Sequence, residues 1–462
     1  MSAFALPALP PRARASATHE VTLESSPLRF SPLPGTSFAA LGYNGRIPGP
    51  VIRLQAGQRL RCRYVNRTPY PSTIHWHGVV LPNAMDGVEN LTQAPVPPGG
   101  AFLYDFVPQN TGTKWYHDHI GTGLMRGLFG ILAIDDPRDE RADVDLAVVF
   151  HDVPELRTVD AAMMGVSKAP MVDPLGSSEL REMAPDDKMG DEVAYVAHCV
   201  NGGSYPHNPP IVVKVGQIVR LRVLNANPTQ TRYVRLAAHR LRVTHGDGNA
   251  LETPVEVEAL RVGVGERYDA WFEVRKPGAW LLQGLSADPA AFAQAVVIRT
   301  EGMENVSPAS ESESLEGVSA FDYRVAGEAI AEPARLGAPD VAQHFTLAGG
   351  KYGSNRWTID GAVWPHTPKV RVRRNDRVVL RFTNKTDMDH PLHLHGHDFS
   401  ILEIDAHRLR KPLVKDTSLV RANGGTIAWS FRATSPSGRW LLHCHNQIHM
   451  MDGMMTELIY LD

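Results

Sequence analysis

Histidines separated by a single residue recur five times in this chain of 462 residues, at 75/77, 117/119, 393/395, 395/397 and 443/445. In a β-strand, residues two apart lie on the same face, so both imidazoles of a pair can reach one object. With 20 histidines in the chain, chance gives roughly one such pair. Imidazole is a ligand for zinc, copper, iron and nickel, so the repeated pairs predict a metal-binding protein.

One cysteine narrows the choice of metal. Cys444 lies in the segment HCHNQIHMMDGMM, with His449 five residues later and Met454 ten residues later, and His390 opens the segment HPLHLHGH. Two histidines, one thiolate and a distant thioether form the ligand set of blue-copper electron-transfer sites. A structural zinc site prefers more cysteines, and the chain has only three. We therefore expect an electron-transfer copper here.

Three segments with a common pattern indicate the elements that hold these ligands. Each alternates apolar and polar residues around a central turn, which predicts two half-buried strands. The segments are VIRLQAGQRLRCRYVN, IVVKVGQIVRLRVLN and KVRVRRNDRVVLRFTN. They end at Asn66, Asn225 and Asn384, so both intervals are 159 residues long. A regular period predicts a repeated architecture, here three β domains of one kind.

The middle unit lacks the histidines of the other two. Nine and eleven residues after the closing asparagine, the outer units have a histidine pair, but the middle unit has Val234 and Leu236. Five and seven residues after a later shared glycine, it has Gln283 and Leu285 where the outer units again have histidines. We interpret the middle domain as a spacer without metal ligands.

Composition agrees with an all-β protein. The 39 glycines and 35 prolines favour many short strands over long helices, and the length suggests about three domains. The acidic, serine-rich stretch SPASESESLEG is typical of a linker. The predicted division is a flexible tail or leader remnant (1–20), domain 1 (21–137), domain 2 (138–300), a linker (301–340) and domain 3 (341–462).

Several classes of partner and location are disfavoured. The net charge is −3 and no basic stripe is present, so we expect no nucleic-acid partner. No apolar run reaches 18 residues, so we expect no membrane span. The apolar residues 3–9 and the small residues 15–17 fit either a disordered tail or the remnant of an export leader. We expect a monomeric periplasmic or secreted protein, with a cytoplasmic location left open.

Together, the segments HWHG, WYHDH, HPLHLHGH and HCHNQIHMMDGMM resemble the signature of the multicopper oxidases. The resemblance is to three-domain, laccase-like bacterial members built from cupredoxin-like Greek-key β-sandwich domains. It implies about four coppers per chain, one of type 1, one of type 2 and a type 3 pair. The implied type 1 ligands are His390, Cys444, His449 and axial Met454. The implied type 2 ligands are His75 and His393, and the implied type 3 ligands are His77, His117, His119, His395, His443 and His445.

The resemblance also implies a reaction. A laccase-like oxidase couples one-electron oxidation of phenolic or metal-ion donors to four-electron reduction of dioxygen to water. The type 1 copper would collect electrons from the donor, and the type 2 and type 3 coppers would form the oxygen site, where dioxygen is reduced. Cys444, a type 1 ligand, is the chain neighbour of two histidines of the oxygen site, which gives electrons a short covalent path. The alternatives are a metal oxidase for Cu(I), Fe(II) or Mn(II), a copper-free scaffold of the same fold, and a copper nitrite reductase.

The sequence departs from some relatives next to His449. Several bacterial members have a glutamate at the following position as a proton donor, but this chain has Met450. Asp86, in the segment MDGVENLTQAP, matches an aspartate that lies near the oxygen site of relatives, so we predict that it relays protons. An Asp-Gly pair is also a common turn former, so the alternative is that Asp86 caps a turn.

Other residues are given structural roles. We expect His397 to pack in the core or to support a ligand, and Cys62 and Cys199 to be buried thiols instead of a disulfide. The segment 160–190 contains five methionines, at 163, 164, 171, 183 and 189, which could bind a soft metal ion. We instead expect a flexible acidic surface loop.

Overall fold

The structure is a computed structural model, and it describes residues 17–155, 193–286, 294–332, 338–350 and 356–461. Six β-sheets form three sandwiches, and helices in the described part of the chain are only a few residues long. The predicted all-β fold is confirmed. None of the described helices is long and apolar enough to cross a membrane.

The first sandwich consists of two four-stranded sheets, in the orders β2-β1-β4-β6 and β3-β8-β7-β5. Its strands are β1 (Thr18–Phe30), β2 (Phe38–Tyr43), β3 (Ile52–Gln55), β4 (Arg59–Asn66), β5 (His75–His77), β6 (Ala101–Phe106), β7 (Gly112–His117) and β8 (Phe129–Asp135). A 3-10 turn spans Asn83–Met85. The first strand pairs with Arg59 from Thr18 onward, so order begins before the predicted domain start at residue 21.

The second sandwich has two six-stranded sheets, in the orders β10-β9-β12-β17-β14-β15 and β11-β19-β18-β13-β16-β20. Its strands are β9 (Val144–Pro154), β10 (Tyr195–Val200), β11 (Ile211–Val213), β12 (Ile218–Asn225), β13 (Arg232–Leu236), β14 (Leu241–Gly246), β15 (Asn249–Val257), β16 (Ala259–Val262), β17 (Arg267–Glu273), β18 (Ala279–Leu285), β19 (Gln294–Thr300) and β20 (Ala320–Phe321). The last of these comes from the predicted linker and extends the sheet.

The third sandwich pairs a seven-stranded sheet, β21-β28-β27-β30-β25-β22-β23, with a five-stranded sheet, β24-β32-β31-β26-β29. Its strands are β21 (Ala329–Ile330), β22 (Val341–Gly349), β23 (Trp357–Ile359), β24 (Val370–Val372), β25 (Arg377–Asn384), β26 (His390–Leu394), β27 (Phe399–Ile404), β28 (His407–Lys415), β29 (Thr417–Val420), β30 (Thr426–Arg432), β31 (Arg439–Cys444) and β32 (Met455–Tyr460). Two short helices accompany it, α1 (Tyr323–Ala326) and α2 (Gln447–Met451).

The three asparagines that close the common segments occupy similar surroundings. Each is fully buried, and its side-chain amide donates to two backbone carbonyls while its carbonyl accepts from the amide two residues later. For Asn66 the acceptors are Tyr70 and Val96, at 2.7 and 2.8 Å, and the donor is Thr68 at 2.9 Å. Asn225 and Asn384 make the same three kinds of bond. Each asparagine therefore fixes the turn that leads from its strand toward the next.

Candidate metal centre

Within domain 1 and within domain 3, an antiparallel pair of strands sets two histidines opposite each other. In domain 1, β5 pairs with β7, which places His75 opposite His117. In domain 3, β26 pairs with β31, which places His393 opposite His443. His77 also lies in β5, so the period of two puts it on the same face as His75. The second histidines of the other pairs, His119, His395 and His445, lie one or two residues beyond the ends of their strands. All the predicted histidine ligands are buried.

Eight histidines, four from each outer domain, meet between domains 1 and 3. The Nε2 atoms of His75 and His393 are 3.4 Å apart, and those of His395 and His443 are 3.0 Å apart. Nδ1 of His77 lies 3.2 Å from Nε2 of His445. Ring nitrogens of His119, His395 and His443 all lie within 4.8 Å of one another, as do those of His75, His77 and His117. The structure therefore joins every histidine predicted for the oxygen site.

A second group of donors lies in domain 3. Nδ1 of His390 and Nδ1 of His449 are 2.9 Å apart, and Sγ of Cys444 lies 3.6 and 3.5 Å from them. Met454 is fully buried, its amide donates to the His449 carbonyl at 2.9 Å, and its carbonyl accepts from the Cys444 amide at 3.0 Å. The indole of Trp357 lies 3.7 Å from the His449 ring, centroid to centroid. The predicted type 1 residues are thus adjacent.

Hydrogen bonds fix which nitrogen of each ring is left for a metal. Nδ1 of His75, His117, His393 and His443 donates to a backbone carbonyl at 2.8 to 2.9 Å. Nδ1 of His395 donates to Oδ2 of Asp86 at 2.9 Å. In these rings Nε2 therefore carries the lone pair. Metal-bound histidines usually donate their other N–H in this way.

Two histidines are held in the opposite sense by threonines. The Thr417 hydroxyl donates to Asp416 at 2.9 Å and so accepts from Nε2 of His77, also at 2.9 Å. The Thr386 hydroxyl donates to Asn384 at 2.8 Å and accepts from Nε2 of His390 at 2.8 Å. In both histidines Nδ1 is left with the lone pair, and it faces the other donors of its group.

The donor set fits bound copper. Nε2 of His117 and Nε2 of His119 are buried and have no hydrogen-bond partner within the described ranges, a costly arrangement unless they coordinate an ion. Burial is the main cause that lowers the pKa of His443 to about 4. Burial likewise lowers the pKa of His77, His117, His119, His390, His393, His395, His445 and His449. Neutral imidazole is the form that binds metal.

The other residues singled out in the sequence are two buried cysteines, one buried histidine and five methionines. His397 is buried, donates from Nδ1 to the His395 carbonyl at 2.8 Å, and contacts the Tyr460 hydroxyl at 2.9 Å, so it packs in the core against the backbone of a predicted ligand. Cys62 and Cys199 are buried and form no disulfide, and burial raises the pKa of both thiols to about 12. The methionines at 163, 164, 171, 183 and 189 lie outside the described residues.

Sequence reasoning missed the residues that hold the ligands from behind. Asp416 and Thr417 contact His77 and His393, Thr386 fixes His390, and the Trp357 ring packs against the His449 ring. None of them belongs to a spaced motif. A sequence signal for Asp416 was the charged pair Lys415-Asp416 at the junction of β28 and β29.

Comparison with known proteins agrees with this arrangement. Family models described as multicopper oxidase match residues 26–139, 178–302 and 337–462. Multicopper oxidase MmcO of Mycobacterium tuberculosis is 31% identical, over 97% of this chain and 88% of its own length. Laccase-2 of Botryotinia fuckeliana is 26% identical, over 92% and 79%.

A solved structure confirms the cupredoxin-like fold. The crystal structure of Fet3p, a multicopper oxidase that functions in iron import, superposes with a TM-score of 0.79 at 20% identity, covering 96% of this chain and 90% of that one. The family models together span all three sandwiches, and the MmcO match runs through nearly the whole chain. The protein belongs to the multicopper oxidase family and is a copper oxidoreductase that passes electrons to dioxygen.

Proposed function

We propose that the chain holds about four coppers and uses them as a laccase-like oxidase. His390, Cys444 and His449, with Met454 as axial ligand, would hold type 1 copper. His75 and His393 would hold type 2 copper. The type 3 pair would be held by His77, His117, His119, His395, His443 and His445. The convergence of these rings and the orientation of their lone pairs support the assignment.

One observation carries the proposal: consecutive residues join the two donor groups. Sγ of Cys444 faces His390 and His449, while His443 and His445, its neighbours in the chain, lie in the eight-histidine group. Bound copper would supply the one-electron redox chemistry, so that electrons taken singly from four donor molecules can together reduce one dioxygen. The chain supplies fixed ligand orientation and a short covalent path for electrons between the two groups.

Phenols and metal ions are the proposed donors, with a metal oxidase for Cu(I), Fe(II) or Mn(II) as the alternative. The similarity to Laccase-2 supports phenols. Oxygen uptake by copper-loaded protein, measured with a phenol and with each of the three ions, separates the two. Uptake with none of them, in protein that contains four coppers, would contradict an oxidase. Protein that binds no copper would point to the scaffold alternative.

We further propose that the three sandwiches are copies of one unit, that the protein is a monomer, and that it acts in the periplasm or outside the cell. The shared surroundings of the three asparagines support the first point. The 159-residue interval between them supports it independently. Location and oligomeric state stay predictions, and a fractionation of producing cells together with the mass in solution tests them.

Met454→Leu should raise the type 1 reduction potential. A thioether donates weakly to copper and stabilises its oxidised state, so its removal favours Cu(I). The exchange should cost less than about 1.5 kcal/mol of folding free energy, because the two side chains have similar volumes. Redox titration of the blue band measures the shift, with Met455→Leu on the next residue as the control. An unchanged or lower potential in Met454→Leu would argue for another axial ligand.

A further inference from the structure

A fully buried cluster of charged residues lies behind the eight-histidine group, where all three domains meet. Domain 1 contributes Lys114, domain 2 contributes Asp247, Glu266 and Arg267, and domain 3 contributes Lys415 and Asp416. Charges buried this deeply are costly unless they are closely paired and hydrogen-bonded. We call these six residues the interdomain charge cluster.

Asp416 is the member of the cluster that contacts histidines. Its backbone carbonyl accepts from Nδ1 of His393 at 2.8 Å. Its carboxylate Oδ1 lies 3.3 Å from Nε2 of His77 and accepts from the Thr417 hydroxyl that holds the same nitrogen. The position of this one residue therefore decides the orientation of one predicted type 2 ligand and one predicted type 3 ligand.

Arg267 of domain 2 binds the Asp416 side chain. Nη1 and Nη2 of Arg267 donate to Oδ1 and Oδ2 of Asp416 at 2.8 and 2.6 Å. Such a bidentate contact fixes a carboxylate in both distance and angle. The same guanidinium donates to the backbone carbonyls of Thr113 in domain 1 and of Gly265 in domain 2, at 3.1 and 3.0 Å. Arg267 thus ties the three domains at one point.

Domain 2 also grips the backbone on either side. Oδ2 of Asp247 accepts from the amides of Asp416 and Thr417 at 3.3 and 3.0 Å. Oδ1 of Asp247 accepts from the amide of Arg267 at 2.9 Å. The carboxylate of Asp416 and the peptide that follows it are therefore both held by residues of domain 2, for which no metal ligand is predicted.

A second contact brings domain 2 directly to the rings. At Gly265, which has a φ of +84°, a side-chain Cβ would lie 3.0 Å from the His445 ring and 3.3 Å from the His77 ring. These distances are tighter than ordinary van der Waals contact. Glycine at this position lets the domain 2 backbone form part of the wall around the histidines.

We propose that Arg267 is a positioning residue for the oxygen site: by fixing Asp416 it sets the orientation of His77 and His393, and this is what the middle domain contributes to the reaction. The proposal rests on the copper assignment above. It replaces the interpretation of domain 2 as a spacer. It also explains why a domain without a predicted copper ligand contacts both of the others at this point.

The test compares Arg267→Lys with a matched control, Arg222→Lys. Arg222 is another buried arginine of domain 2 and makes a similar two-point contact with Asp145, at 2.8 and 2.9 Å, and a contact with Asp135 of domain 1. No contact of Arg222 with a predicted histidine ligand is seen among the described residues. Lysine keeps the charge in both variants but loses the planar fork.

Copper content, the blue absorption band, the type 2 electron paramagnetic resonance spectrum and copper retention against a chelator are measured on each loaded protein. We expect Arg267→Lys to keep the blue band, to change the type 2 spectrum and to retain oxygen-site copper about tenfold less well, as losing an outer partner of a ligand does. Arg222→Lys should lower the melting temperature and leave both spectra unchanged. Identical type 2 spectra in Arg267→Lys and wild type, or equal changes in the two variants, would overturn the proposal.

A double variant covers the case in which Arg267→Lys does not fold. Arg267→Gln with Asp416→Asn removes one charge of each sign, so the net charge of the cluster is unchanged, and Lys114, which also pairs with Asp416, keeps its hydrogen bond to the Asp247 carbonyl at 2.7 Å. It should fold, keep the blue band and show the altered type 2 spectrum. A wild-type type 2 spectrum in this protein would overturn the proposal. Absence of copper from the wild-type protein would instead contradict the proposed function, so the two failures are distinguishable.

Discussion

Cys444→Ser should yield a colourless protein that oxidises no donor. The intense visible band requires a copper–thiolate bond, and Cys444 is the one cysteine close to His390 and His449. Loss of the thiolate also breaks the path to the eight histidines, because that path begins at this side chain. Visible absorption and oxygen uptake with every donor of the panel measure the two effects, and both should fall to the level of copper-free protein.

Cys199→Ser is the matched control. This second buried thiol has a hydroxyl nearby, with Sγ 3.3 Å from Oγ of Ser204, so a serine here keeps a hydrogen-bond partner. Its band, copper content and turnover should equal those of wild type. A Cys444→Ser protein that stays blue would refute the type 1 assignment, since no other thiolate lies in that group.

Local spacing made much of this protein predictable. The period of two predicted that the two histidines of each pair reach a common site, although only His75 and His77 both lie inside a strand. Pairing of β5 with β7 and of β26 with β31 set the first histidines of the pairs opposite each other. Glycine and proline content and the alternating segments were enough to predict β domains of short strands, and the resemblance to multicopper oxidases implied that they are sandwiches. Such features are carried by neighbouring residues, so they can be read without knowing which distant segments meet.

The residues that hold the predicted ligands in place could not be predicted, because they come from segments far apart in the sequence. Arg267 and Asp416 are 149 residues apart, and each is an ordinary charged residue in its own segment. Only the packing of three domains makes them a buried pair. The spacer interpretation of domain 2 has the same limit, because it counted predicted ligands and could not count the contacts made to them.

The structure also decides what the Asp86 side chain touches. The backbone amide of Asp86 closes the 3-10 turn by donating to the Asn83 carbonyl, but the carboxylate points away from the turn. Its Oδ2 accepts from His395 at 2.9 Å, and its Oδ1 lies 3.3 Å from Nδ1 of His75. A role limited to capping the turn does not account for these contacts, whereas a carboxylate buried between two predicted ligands is well placed to pass protons.

Asp86→Asn should slow reoxidation of the reduced enzyme by dioxygen while leaving the blue band and copper content intact. Reduction of dioxygen to water consumes four protons, and a positioned general acid contributes about 10² to 10⁴ in rate, so a loss toward the lower end of that range is expected. The amide oxygen of asparagine can still accept from His395, which keeps the ring in place, but asparagine cannot carry the proton. Stopped-flow reoxidation across the pH range measures the effect, and anaerobic reduction of the type 1 site by the donor serves as the internal control. Wild-type reoxidation at every pH would place the relay elsewhere, and loss of copper would limit Asp86 to holding His395.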